Sequence, residues 1–279
     1  MNNEALERLN ERLDGTVYVG VVGSEIELGA ARDSITAISL RPGDEGPVHR
    51  RATKGFEARQ AHVEHFYRNT AHAFILLLDG DMEFKPDCLE VLRSHGLPAV
   101  SGLAYRRTYR PTVVPAWFED DPEFRWPMQP FVEVPEPGRL YRLGATGFFC
   151  MLLHRSVFEA VEPILKGEPF VCEDDMDVWP YDLGAVLRGD EQLRVLRGTK
   201  DNVGADLRLS FFIRQAGFTI WGDPAVHCGH FVNYPLGLND YSGFSRDYRQ
   251  QFSQATRARV ADLRAEQQAQ IDALKGATA

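Results

Sequence analysis

Runs of apolar residues, separated by polar stretches rich in glycine or proline, divide this chain of 279 residues. Residues 16–22 are rich in β-branched side chains and almost wholly apolar, and residues 74–78 are five apolar residues in a row. Such runs are typical of strands that are buried on both faces. Polar residues 56–67 and mixed residues 86–92 predict helices that follow these runs. The alternation predicts an α/β protein with a mostly parallel central sheet flanked by helices.

The pattern is less regular further along the chain. Seven prolines between residues 109 and 138 exclude central strands and long helices there. Residues 148–153 predict a further apolar strand, and residues 206–216 predict a helix that leads to a last strand at 218–221. Between them, residues 166–204 are acidic and dotted with glycine, which predicts a long loop.

The end of the chain changes character again, because residues 244–279 are rich in alanine, glutamine and arginine. Apolar side chains form one helical stripe that Gln267 interrupts. We therefore predict one folded domain over residues 1–243 and a C-terminal helical extension over 244–279. The short stripe favours docking on the chain's own domain over a coiled coil, although a homo-oligomer through this helix is a second interpretation.

Charge and cysteine usage narrow the class of protein. The chain has 31 Lys and Arg against 40 Asp and Glu, a formal net charge of −9, which argues against a broad basic surface for nucleic acid or membrane. Its four cysteines form no CxxC motif, which is typical of a reducing compartment. The start lacks an apolar signal-peptide core, and the longest aliphatic-aromatic run is far short of the roughly 20 residues that span a bilayer. These features predict a cytoplasmic protein without a membrane span.

Two aspartates directly follow the second apolar run, in the sequence Asp79-Gly80-Asp81. A buried strand of an open α/β sheet delivers such residues to its carboxyl end, where these sheets bind ligands. A turn at Gly80 lets the two carboxylates converge, and carboxylate oxygens are hard ligands that suit Mg²⁺ or Mn²⁺. A solvated turn is the plainer alternative. The position after five apolar residues favours a metal site that neutralises a diphosphate.

Two histidines lie close together near the end of the predicted domain. His230, if brought beside the aspartates, would complete a mixed oxygen and nitrogen site of a kind that Mn²⁺ tolerates. His227, Cys228 and His230 could instead hold zinc, but three ligands this close in sequence have poor geometry without a distant partner. A histidine that serves only the packing of the protein is the third interpretation.

Asp206 opens the helix predicted at 206–216. A carboxylate at this position commonly caps the helix N-terminus. It can also act as a general base that takes a proton from an incoming hydroxyl group. The two roles are compatible, so both interpretations stay open.

Four motifs follow one another in an order that resembles the GT-A fold glycosyltransferases, in particular the large inverting family 2 type. The motifs are Asp79-Gly80-Asp81 after a strand, Gly144-Ala145-Thr146-Gly147-Phe148-Phe149, Ala205-Asp206 on a helix that ends at Gly217, and Ile220-Trp221-Gly222-Asp223-Pro224 followed by His230. The similarity covers roughly residues 16–235, and the order of the motifs is more specific than any one of them. It implies a Rossmann-like GT-A catalytic domain over 1–243, with 166–204 as a loop insertion.

The resemblance also implies an activity. It indicates an enzyme that moves a sugar from a nucleotide-sugar donor, with UDP as the favoured nucleotide, to a hydroxyl acceptor with inversion at the anomeric carbon. The implied cofactor is Mn²⁺ or Mg²⁺. The acceptor stays open among a glycan, a protein, a small molecule and a nucleic acid.

Residue by residue, the resemblance assigns the metal ligands and the base. Asp81 would bind the metal directly, Asp79 would contact the donor ribose or a metal-bound water, and His230 would take the third protein position. Asp206 would match the aspartate that deprotonates the acceptor.

Four further residues would line the donor. Gly23, at the end of the first strand, and Arg59 would border the nucleotide. Gly144 and Gly147 would let the backbone approach the donor sugar or the acceptor.

The sequence departs from the family pattern in places. Ala205 stands where the family usually has a glutamate before the base, and Gln60 stands where an asparagine is common after the arginine. Residues 166–204 have no clear counterpart in the family. Two alternatives therefore remain. One is a metal-dependent nucleotidyltransferase or sugar-nucleotide hydrolase, although Gly23-Ser24-Glu25 is not the glycine-rich phosphate loop such nucleotidyltransferases use. The other is an inactive, glycosyltransferase-like binding protein.

Overall fold

The structure is a computed structural model, and it describes residues 13–23, 29–52, 54–106, 114–120, 131, 135–172, 204–231 and 235–236. The predicted C-terminal extension at 244–279 lies outside these residues. So do residues 173–203, which make up most of the predicted loop.

Eleven strands and five helices occur in the described part of the chain. The strands are β1 (Val17–Gly23), β2 (Glu45–Arg51), β3 (Phe74–Asp79), β4 (Met82–Glu83), β5 (Ala99–Arg106), β6 (Val114–Pro115), β7 (Trp117–Glu119), β8 (Tyr141–Thr146), β9 (Cys150–His154), β10 (Ile220–Phe231) and β11 (Pro235–Leu236). The helices are α1 (Gly29–Thr36), α2 (Gly55–Asn69), α3 (Cys88–Ser94), α4 (Arg155–Leu165) and α5 (Ala205–Gln215).

The two apolar runs near the start form the strands that their composition predicts. Every residue of β1 is buried, and β3 is buried from Phe74 to Leu78. Alternate side chains of β3 point to opposite faces of the sheet. Ile75 and Leu77 therefore join a core under α2, α4 and α5, while Leu76 and Leu78 join a second core under α1 and α3.

The sheet is mixed, so the prediction of a mostly parallel sheet is wrong. The strand order is β2-β1-β3-β9-β5-β10-β8-β7. Only β1 with β2, β1 with β3, and β5 with β10 are parallel among the described pairs, and every other described pair is antiparallel. β9 lies between β3 and β5 and runs against the direction of both. Residues 147–149 connect β8 to β9 without reversing the chain, so β9 keeps the direction of β8, which is antiparallel to β10 and therefore opposes β5 as well.

The last predicted strand is longer than its apolar core suggests. We predicted residues 218–221, whereas β10 runs for 12 residues, from Ile220 to Phe231. A register irregularity between Asp223 and His227 lets the strand continue beside β5, and its end pairs with β4. This extension brings His230 to the residues that follow β3. Within the described part of the chain, no helix is both long enough and apolar enough to cross a membrane.

Candidate functional site

The turn after β3 lies against two neighbouring segments. The Asp79 N–H donates to the Phe149 carbonyl oxygen at 3.1 Å, and the Gly80 N–H donates to the Val22 carbonyl oxygen at 2.8 Å. A Cβ atom at Gly80 would lie 3.0 Å from that Val22 oxygen and 3.3 Å from the Gly23 Cα. A side chain would therefore crowd the turn, and glycine holds it close to the end of β1.

Asp81 and His230 come together because β4 pairs with the end of β10. His230 faces Met82 across this ladder, and the Phe231 N–H donates to the Asp81 carbonyl oxygen at 3.0 Å. The Asp81 Oδ2 lies 3.5 Å from the His230 Nε2. The structure thus joins two of the three predicted metal ligands, which are 149 positions apart (230 − 81).

The His230 ring is held in one orientation. Its residue is only 5% exposed, its Nδ1 lies 2.8 Å from the Tyr105 carbonyl oxygen, and the Phe149 ring centroid is 5.6 Å away. Because a carbonyl oxygen can only accept, Nδ1 must carry a proton. In the neutral ring, Nε2 then presents its lone pair toward the Asp81 carboxylate. This is the arrangement in which a backbone carbonyl orients a metal-ligating histidine.

Asp79 is engaged differently, because it forms an ion pair with Arg59. The Arg59 Nη2 lies 2.5 Å from the Asp79 Oδ1, and the two side chains are 13% and 15% exposed. Burial acts to lower the pKa of Arg59, but the carboxylates of Asp79 and Asp206 outweigh it and raise that pKa above its ordinary value. Arg59 therefore stays charged and interacts with aspartates from two different elements.

Asp206 lies in the first turn of α5 and is not its N-cap. The N-cap is Gly204, which has no side chain to cap with, and the Asp206 Oδ1 accepts from the Leu207 N–H at 2.9 Å. The capping interpretation is therefore wrong for this residue. The half-buried carboxylate of Asp206 interacts electrostatically with Arg59. Arg59 therefore interacts with both Asp79 and Asp206, the predicted base.

Each of the two predicted glycines, Gly144 within β8 and Gly147 directly after it, has a local structural reason. Leu143 pairs with Glu119 and Ala145 pairs with Phe118, so Gly144 is the extra residue of a bulge between β7 and β8. A Cβ at Gly147 would lie 2.2 Å from the ring of Phe149. Gly147 therefore permits the placement of the ring that packs on His230.

Two polar residues that we did not predict as site residues, the buried Arg208 and the half-buried Gln60, hold the border of the site. Arg208 of α5 is completely buried, and its guanidinium donates to the carbonyl oxygens of Pro169 and Phe170 at 2.9 and 3.3 Å. The Gln60 Oε1 accepts from the Val171 N–H at 2.7 Å. The start of the long segment is thus attached beside both Arg59 and Asp206. Neither residue belongs to an apolar pattern, and Gln60 was noted only as the residue after Arg59 where an asparagine is common, so no sequence signal indicated these contacts.

A third contact of this kind lies between α5 and β8. The Ser210 hydroxyl, one turn after Asp206, lies 3.4 Å from both the N–H and the carbonyl oxygen of Thr146. Ser210 is fully buried, and the Thr146 hydroxyl is 3.0 Å from that of Ser101. This network docks α5 on the end of β8, next to Gly147.

The zinc interpretation of the histidine pair finds no support. His227 and Cys228 are adjacent on β10, so their side chains point to opposite faces. The Cys228 thiol is buried and hydrogen-bonded to Cys150, which also contacts Cys88. These three cysteines belong to the core.

The described residues supply part of a coordination shell. No group of three His, Cys, Asp or Glu among them is close enough to hold a metal ion. Asp81 and His230 offer one carboxylate and one imidazole, whereas Asp79 is occupied by Arg59. A hard divalent cation commonly binds one or two protein carboxylates and takes its remaining oxygens from substrate phosphates and water. The pair fits that mode and does not fit a closed protein cage.

Comparison with known proteins gives only distant similarities. No family model matches the chain, and no curated protein matches it. The crystal structure of A197 from STIV is similar with a TM-score of 0.46 and 12% identity, over 81% of this chain and 91% of that one. The crystal structure of GalNAc-T7 with UDP, GalNAc and Mn²⁺ is similar with a TM-score of 0.48 and 12% identity. That match covers 81% of this chain but only 45% of the GalNAc-T7 chain.

Proposed function

We propose that this chain is a glycosyltransferase that transfers a sugar from a nucleotide-sugar donor to a hydroxyl acceptor with the help of Mn²⁺ or Mg²⁺. The observation that carries the proposal is the meeting of Asp81 with the oriented His230 at the carboxyl end of β3. Arg59, held between the charges of Asp79 and Asp206, lies at the same edge of the sheet. Cation-binding and acid-base groups thus share one site.

In this proposal, Asp81 and His230 hold the divalent ion. Bound there, the ion would neutralise the negative charge that develops on the diphosphate as it leaves. Asp79, through its pairing with Arg59, would be positioned toward the donor ribose. Gly23 and Gly80 would leave the strand ends open for the nucleotide, and Gly144 and Gly147 would border the sugar.

The transfer itself would be an in-line displacement. The acceptor oxygen forms a bond to the anomeric carbon while the bond from that carbon to the phosphate oxygen breaks. The electron pair of the broken bond leaves with the nucleoside diphosphate, and the acceptor proton goes to the Asp206 carboxylate. The anomeric configuration is then inverted.

A donor screen tests the proposal. A panel of nucleotide sugars, with UDP-sugars first, is incubated with the protein and Mn²⁺, and release of nucleoside diphosphate is measured with and without candidate acceptors. We expect one donor to be consumed faster when an acceptor hydroxyl is present. Release that no acceptor accelerates would indicate a sugar-nucleotide hydrolase, and binding of every donor without turnover would indicate an inactive binding protein.

Variants separate the proposed roles. Asp206→Asn should bind the donor normally and reduce transfer by about two to four orders of magnitude, the usual contribution of a general base. Glu83→Gln changes an exposed carboxylate two positions after Asp81 and serves as the matched control, with activity unchanged. Transfer by Asp206→Asn at the parent rate would remove Asp206 from the mechanism.

A further inference from the structure

The residue directly before β9 contacts two separate parts of the candidate site. The carbonyl oxygen of Phe149 accepts the Asp79 N–H at 3.1 Å, and the Phe149 ring lies against the His230 imidazole, with 5.6 Å between the ring centroids. Asp79 and His230 belong to different strands and are 151 positions apart (230 − 79). Phe149 therefore joins the end of β3 to the end of β10, through its main chain on one side and its side chain on the other.

The orientation of the His230 ring depends on more than one contact. The hydrogen bond from its Nδ1 to the Tyr105 carbonyl oxygen, at 2.8 Å, fixes one atom of the imidazole, and the ring can still tilt about that atom. The Phe149 ring packs on the imidazole at an interplanar angle of 55°, within the usual range of aromatic contacts. This second contact fixes the plane of the imidazole, with Nε2 at 3.5 Å from the Asp81 Oδ2.

The Phe149 ring is itself held from another side. A Cβ atom at Gly147 would lie 2.2, 2.8 and 3.0 Å from three of its ring carbons. The ring thus occupies the space that any side chain at position 147 would fill. It is half-buried and also packs against the core under α1 and α3. A displacement of this ring would therefore change its contact with His230.

We propose that Phe149 is a positioning residue for His230, whose ring holds the imidazole so that Nε2 and the Asp81 carboxylate face the same divalent ion. The inference rests on the proposed function, because it concerns the ion that these two ligands would share. Residues that orient a metal ligand commonly change metal affinity by roughly 10–100-fold. The Phe149 side chain has no polar atom, so it acts through His230, and its loss leaves both ligands and the main-chain bond to Asp79 in place.

Imidazole nitrogen chemical shifts test the orientation without any metal. The full chain, labelled with nitrogen-15, is measured in EDTA, and the His230 signals are assigned by comparison with His230→Gln. We expect a single His230 tautomer, protonated at Nδ1, in the parent and a mixture of both tautomers in Phe149→Leu. The matched control is Phe218→Leu, because Phe218 is also half-buried but precedes β10, at the opposite end of that strand from His230. An unchanged His230 tautomer in Phe149→Leu would overturn the proposal.

Mn²⁺ binding measures the consequence of this orientation. Free Mn²⁺ is followed by electron paramagnetic resonance, and we expect Phe149→Leu to bind it about tenfold more weakly than Phe218→Leu. Excess Mn²⁺ should restore sugar transfer in Phe149→Leu, because Asp81 and His230 are both present. Gly147→Ala keeps the phenyl ring but displaces it, and it replaces Phe149→Leu if that variant folds poorly. Mn²⁺ affinity equal to that of Phe218→Leu would overturn the proposal.

Failure of this proposal and failure of the proposed function give different results. Mn²⁺ binding that is lost in Asp81→Asn but unchanged in Phe149→Leu would contradict only the role of Phe149. A parent chain that binds no Mn²⁺ would contradict the metal site of the proposed function. The tautomer comparison in EDTA would then decide by itself whether Phe149 orients His230.

Discussion

Acidification should weaken this fold through one buried imidazole, that of His62 on α2. The side chain is completely buried over Gly20, whose hypothetical Cβ would lie 2.8 Å from the ring. Its Nε2 is 3.0 Å from the Val21 carbonyl oxygen, and its Nδ1 is 2.8 Å from the Tyr18 hydroxyl. The neutral ring satisfies both contacts, with Nε2 donating to the carbonyl and Nδ1 accepting from the hydroxyl.

The size of the effect follows from the pKa of His62. Burial, together with the nearby charge of Arg50, lowers that pKa from 6.5 to about 4, against the opposing hydrogen bond to Val21. The unfolded chain therefore binds a proton at higher pH than the folded one. The contribution of the neutral His62 ring to the free energy of unfolding is fully present above pH 6.5, declines as the pH falls, and is lost by about pH 4. The whole shift corresponds to about 3 kcal/mol, of which about 2 kcal/mol is lost between pH 7.5 and pH 5.

Urea unfolding at pH 7.5 and pH 5 measures this loss. His154 and His227 also have pKa values lowered by burial, so the parent should lose more than His62 alone accounts for. His62→Gln should be less stable at pH 7.5, yet its stability should fall by about 2 kcal/mol less on acidification. Tyr18→Phe removes the donor that favours the neutral ring, so its loss of stability on acidification should lie between those of His62→Gln and the parent. A His62→Gln variant with the full parental loss would refute the reasoning.

Three more predictions concern the core and the border of the site. A hydrogen bond to Cys228 and burial raise the pKa of the Cys150 thiol well above its usual value. Cys88 and Cys228 are buried as well, so only the half-buried Cys172 should react with Ellman's reagent before unfolding. Rapid labelling of several thiols in the native protein would contradict this prediction. Gly147→Ala should cost about 1–3 kcal/mol in urea unfolding, because its Cβ would collide with the Phe149 ring, whereas Gly29→Ala, with no heavy atom within 4 Å, should be neutral or slightly stabilising. Arg208→Met should lower the free energy of unfolding by about 2 kcal/mol, because the carbonyl oxygens of Pro169 and Phe170 lose their donor. An unchanged urea midpoint would mean that these two hydrogen bonds contribute nothing to stability.

The buried strands were predictable because burial on both faces imposes an unbroken apolar composition. That signal located β1 and β3 and also placed the Asp79-Gly80-Asp81 turn at a strand end. Strand direction carries no such signal. The apolar residues of β9 fit a parallel or an antiparallel neighbour equally well, and its direction follows from that of β8, which no hydrophobic pattern indicates.

The site was predictable in its residue types but not in its pairings. His230 and Asp81 meet because a register irregularity extends β10 through polar residues, which no hydrophobic pattern reveals. The pairing of Asp79 with Arg59 depends on the approach of α2 to the end of β3. The burial of Arg208 could not be predicted either, because it depends on carbonyl partners 38 and 39 positions earlier in the chain.

The central claim is that Asp81 and His230 hold a divalent ion that binds a nucleoside diphosphate. Calorimetric titration of the chain with UDP, in the presence of Mn²⁺ and then of EDTA, tests it most directly. The account predicts Mn²⁺-dependent binding that weakens at least tenfold in both Asp81→Asn and His230→Gln, with Glu83→Gln indistinguishable from the parent. UDP binding of equal strength with and without Mn²⁺, or unchanged in both variants, would contradict it.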